Sequence, residues 1–123
     1  MGWIVLNVKL SVSSSAMSCK GGMISATVTV TGQTDDNEGE NSYTAFIKED
    51  HIIPDILWKS EPQTVLSGTT VNQSYTVELK CNKLRHVIGP HGSSGESKAD
   101  IYAYVIGGRR EGQSDNLRVI CQW

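Results

Sequence analysis

Strict alternation of apolar and polar side chains, repeated in separate segments, constrains this chain more than any other feature. From Trp3 to Ser13 the residues Ile4, Leu6, Val8, Leu10 and Val12 interleave with Val5, Asn7, Lys9 and Ser11. Ile24, Ala26, Val28 and Val30 then interleave with Ser25, Thr27, Thr29 and Thr31. A period of two is the signature of a strand with one face buried, because successive side chains leave a pleated backbone on opposite sides. Threonine suits the outer positions, being β-branched and polar at once.

The pattern returns at Tyr43 to Lys48, where Phe46 interrupts the polar parity and implies cover on both faces, and from Val71 to Cys81 with Val71, Tyr75, Val77, Leu79 and Cys81 inward. Ala99 to Ile106 places Ala99, Ile101, Ala103 and Val105 inside, and Leu117 to Trp123 places Leu117, Val119, Cys121 and Trp123 inside. Between Glu49 and Ser67, Pro54 and Pro62 leave only Thr64 to Leu66 as a short edge strand. No long window has helical spacing, and Gly, Ser, Asn and Asp fill the separators. The expectation is an all-β, antiparallel β-sandwich of about seven strands forming a single domain over residues 1–123. Strand number and length resemble the immunoglobulin or fibronectin type III architecture. The resemblance rests on the strand pattern, since no Trp lies between Cys81 and Cys121 and no Tyr stands two residues before Cys121.

Composition narrows the function classes. Hydrophobic residues at 38% supply enough apolar surface for a packed core without a metal or a disulfide framework. Eleven basic and thirteen acidic side chains give a net charge of -2, which attracts neither phosphate backbones nor anionic lipid, so neither nucleic acid nor a membrane is an expected partner. Trp3 to Leu6 is too short to cross a bilayer and lacks the flanks of a signal peptide. The chain as written reads either as cytoplasmic or as a domain cut from a secreted protein at Met1-Gly2, and the compartment stays open. Three cysteines argue against a closed disulfide framework; Cys81 and Cys121 share inward parity and are the candidate pair, the alternative being two small buried hydrophobes.

If seven strands alternate in direction, one end of the molecule gathers Cys19, Glu49, Asp50, His51, Asp55, His86 and His91 with Cys81 and Cys121. The other end gathers the acidic loop Asp35, Asp36, Glu38 and Glu40, the turn near Gly68, and the loop Gly107 to Asp115 with Arg109 and Arg110. Loop ends on a rigid scaffold are common places for binding. A zinc site from Cys19, His51, His86 and His91 has suitable ligand types but no recognised spacing. The acidic loop offers oxygen ligands for calcium at Asp35, Asp36, Glu38 and Glu40, without EF-hand spacing. The stretch from Phe46 to Trp58 resembles the acidic loop of a C2 domain but has few aspartates.

No nucleophile elbow or phosphate-cradling loop is present, so an enzyme is not expected. Asn72-Gln73-Ser74 forms a glycosylation sequon. Tyr102, Tyr104 and Ile106 share the non-core parity of one strand, forming a recognition surface unless Phe46 and Ile52 to Trp58 cover them. The sequence reading is thus a non-catalytic binding or structural module for a protein or glycan, with Tyr102, Tyr104, Trp58, Arg109 and Arg110 as contact residues. The alternatives are a calcium-dependent, C2-like module contacting membrane or ligand, and a subunit of an oligomeric assembly. No cofactor is expected other than calcium.

Overall fold

The computed structural model describes residues 2–18, 21–35, 41–84 and 95–122. Ten strands account for most of them: β1 (Trp3–Val12), β2 (Ala16–Ser18), β3 (Met23–Thr34), β4 (Asn41–Glu49), β5 (Asp55–Lys59), β6 (Gln63–Val65), β7 (Thr70–Lys80), β8 (Glu96–Gly107), β9 (Arg110–Gln113) and β10 (Leu117–Gln122). Among the described residues one 3-10 turn is found, at Cys81–Lys83. No helix among the described residues is long and apolar enough to cross a membrane.

The strands form two sheets. The smaller runs β1-β3-β7 and is antiparallel throughout. The larger runs β2-β10-β8-β4-β5, with β6 also on β4 and β9 also on β8. It is mixed, because β2 and β10 are parallel, which departs from the wholly antiparallel expectation. The three strands beyond the expected seven are β2, β5 and β9, each of five residues or fewer and too short to display a period.

One core cluster takes inward residues from both sheets: Leu6, Val8, Ile24, Ala26, Val28, Val30 and Leu79 from the smaller, and Tyr43, Ala45, Ile47, Ile101, Ala103, Val105 and Val119 from the larger. An aromatic chain crosses between them. Trp3 of β1 meets Tyr43 of β4 edge-on at 6.0 Å, the Tyr43 and Tyr75 hydroxyls share a hydrogen bond of 2.7 Å, and Tyr75 of β7 packs on Trp58 of β5 at 5.4 Å.

One parity reading is overturned. Ile4, expected inside, is 54% exposed, and Trp3 takes the buried place at 5%. Trp3 opposes Thr34 and Val5 opposes Gln33, so β1 carries one extra residue at its start; this bulge reverses the facing of everything before it.

β5 and β6 behave as one interrupted edge strand. Both run antiparallel to β4, and at the break the Ser60 amide donates to the Ala45 carbonyl (2.8 Å) while the Ser60 hydroxyl accepts the Ala45 amide (2.9 Å). The side-chain oxygen stands in for the missing backbone carbonyl. Because the interruption does not reverse the chain, the described loops keep the two-ended arrangement that counting strands implies.

Candidate functional site

The end of the molecule that holds the β8–β9 turn carries an open cleft of about 610 Å³, lined by Gly2, Trp3, Asn41, Ser42 and the segment Gly107 to Arg110. Its floor is Trp3, fixed by a hydrogen bond of 3.1 Å from its Nε1 to the Ser42 carbonyl. Gly107 makes this seat possible, since a Cβ there would collide with the indole and with the Ser42 carbonyl oxygen at 2.8 Å. Gly108 takes φ +59° at the first of the two residues joining β8 to β9, a conformation glycine adopts without steric cost.

That turn places Arg109 and Arg110 in the lining of the cleft. Arg109 and Arg110 are exposed, and no ion pair joins either to another described residue. Asn41, only 4% exposed, has a buried Nδ2 without a hydrogen-bond partner among the described residues. Two cations without an ion pair among the described residues make a rim of donors, the inventory that holds carboxylates and other acceptor-rich groups.

The outward face of the larger sheet is a second assembly. Cross-strand pairing puts Phe46 beside Tyr104 and Lys48 beside Tyr102. Phe46 and Tyr104 lie 5.8 Å apart, and the Lys48 ammonium sits 4.2 Å from the Tyr104 ring centroid, a cation–π arrangement. The Tyr104 hydroxyl donates to Glu111. This bond, with burial and the carboxylate's charge, pushes the phenol up to about 12 from its ordinary 10.0. Burial first, and the charge of Asp50 second, raise the Tyr102 phenol.

Tyr102 is buried at 6% and Tyr104 is half-buried, so this face offers less open aromatic surface than its parity implies. The cover is not the expected one: Ile52 and Ile53 are 93% and 77% exposed, because β5 extends the sheet beside β4 instead of folding across it. Trp58 faces the other way, toward Tyr75 and the core.

At the opposite end Cys81, following β7, and Cys121, in β10, form a disulfide with Cα atoms 6.0 Å apart, joining the two sheets. His51 is exposed just beyond β4, and Glu49 is buried at the end of that strand. Cys19, His86 and His91 lie outside the described residues, as do Asp36, Glu38 and Glu40 of the calcium reading; Asp35 closes the β3 end, donating its amide to the Gly2 carbonyl and accepting the Gly68 amide. Among the described residues no group of three His, Cys, Asp or Glu side chains is placed to hold a metal ion.

Of the sequence candidates, Arg109 and Arg110 share the cleft, Tyr102 and Tyr104 share the sheet face, and Trp58 joins neither. Sequence reasoning missed Trp3, Asn41 and Ser42. The Gly107-Gly108 pair was their one signal, marking a tight turn that backbone or a large ring approaches closely. No model of a known protein family matches the chain, and no curated protein matches it.

Proposed function

We propose that this chain is a non-catalytic recognition module built on an immunoglobulin-like β-sandwich, and that it binds acid-bearing groups of a protein or glycan in the Trp3–Arg110 cleft. Support for the sandwich comes from the shared core, the Tyr43–Tyr75 hydrogen bond and the disulfide, all of which tie one sheet to the other. The cleft is preferred over the aromatic face because Tyr102 is covered and Tyr104 is engaged by Glu111 and Lys48.

A single observation carries the reading: Arg109 and Arg110, exposed and without an ion pair to any described residue, line one cleft. A ligand carboxylate would give these guanidinium groups a charge-assisted partner, stronger than a neutral hydrogen bond. An array of acidic and neutral saccharides and peptides, probed with the wild type and an Arg109→Ala/Arg110→Ala variant, tests it. Selective capture of acid-bearing ligands is expected, with at least about tenfold loss in the variant, the equivalent of one charge-assisted hydrogen bond. Equal capture by both proteins, or a preference for neutral ligands, contradicts it.

A further inference from the structure

β7 is the outer strand of the smaller sheet. One edge pairs with β3 from Thr70 to Lys80 with no shift of register, and no described strand pairs with the other. Natural sheets guard such edges with charge, proline, bulges or a covering segment, because free backbone groups template pairing with other chains. β7 contains no proline, and its charges stand only at Glu78 and Lys80, leaving Thr70 to Val77 without one.

Asn72-Gln73-Ser74 lies in that unguarded half. Its middle residue is not proline, and all three residues are exposed. Asn72 stands on the outward, hydroxyl-rich face, opposite Thr31 and two residues before Ser74, whose Oγ lies 3.1 Å from Thr29 Oγ1. A second feature is independent of the motif. The disulfide between Cys81 and Cys121 belongs to oxidising compartments, the secretory route among them, and that route is where asparagine is glycosylated.

We infer that Asn72 carries an N-linked glycan, which occupies the open half of the β7 edge. In its attachment Asn72 Nδ2 forms a bond to C1 of the first sugar of a lipid-pyrophosphate-linked oligosaccharide. The C1–O bond to the pyrophosphate breaks, the lipid pyrophosphate leaves with the electron pair, and a base takes one proton from Nδ2. No oxidation or reduction is involved.

The test is the intact mass of the chain isolated from the cells that produce it, before and after an N-glycosidase that releases the glycan and leaves aspartate at position 72. The expected result is a mass above that of the sequence, lost on treatment. Asn72→Gln and Ser74→Ala chains made in the same cells carry no added mass, while Ser74→Thr retains it. Thiol alkylation of each variant should show the Cys81–Cys121 bond intact, separating loss of the acceptor from misfolding. A wild-type chain at its bare sequence mass overturns the inference, as does added mass that persists in Asn72→Gln.

Discussion

At the scale of single residues, the recurring device is a serine that completes a ladder its own strand has left. Ser114 repeats at Ala103 what Ser60 does at Ala45: its hydroxyl accepts the alanine amide at 2.8 Å, and its amide donates to the alanine carbonyl at 2.9 Å. Each hydroxyl then donates to the next carbonyl along its own chain, that of Glu61 or Asp115. Ser60 is buried, so Ser60→Ala leaves the Ala45 amide without a partner and water cannot replace it. The expected loss is about 1–3 kcal/mol in denaturant unfolding, with less at the half-buried Ser114. The Tyr104–Glu111 contact gives a second prediction. A phenol whose folded value lies near 12, against 10.0 unfolded, contributes stability that is complete below pH 10 and is lost as pH rises through about 12. Glu111→Gln should move the Tyr104 midpoint in the tyrosinate absorbance titration down toward 10.0 and weaken that alkaline slope. An unchanged midpoint would mean that burial, not the carboxylate, sets the shift.

At the scale of elements, side-chain alternation was sufficient where a strand is long and one-sided, and insufficient where a strand is short or bulged. β3 shows the first case, with Ile24, Ala26, Val28 and Val30 all buried as their parity requires. β1 shows the second, since nothing in the composition of Trp3 to Val5 announces the bulge that puts the indole inside. The same defect recurs in β5, where Ile47 opposes Trp58 and Lys48 opposes Ile56, so that Leu57 is the extra residue. Both Leu57 and Trp58 then pack toward the core, and Trp58 is unavailable to the outer aromatic face. Much of the candidate site was therefore illegible: its floor depends on a bulge, and its rim on the close approach of Gly107 to Ser42, distant in sequence. The inter-sheet disulfide belongs to this scale as well. Cys81 and Cys121 are 40 residues apart, and closing such a loop removes chain entropy worth about 4 kcal/mol at room temperature. A Cys81→Ala/Cys121→Ala chain should lose roughly 2–5 kcal/mol in urea unfolding. No loss would indicate that the shared core holds the sheets without the bond.

At the scale of the whole molecule, the two ends do different work. One end is held by the disulfide, while the other carries the cleft, with Arg109 and Arg110 exposed and without an ion pair to any described residue. On the proposed function, sheets joined by a shared core would hold the rim in place before a ligand arrives, which lowers the ordering cost of binding. The most direct test is a nuclear magnetic resonance titration of the wild-type chain with the acid-bearing array ligand it captures best. The account predicts that the Trp3 indole N–H and the amides of Gly107, Gly108, Arg109 and Arg110 move with ligand concentration while Lys48 and Tyr104 stay fixed. Shifts confined to Phe46, Lys48 and Tyr104, with the Trp3 indole unmoved, would contradict it and place recognition on the sheet face.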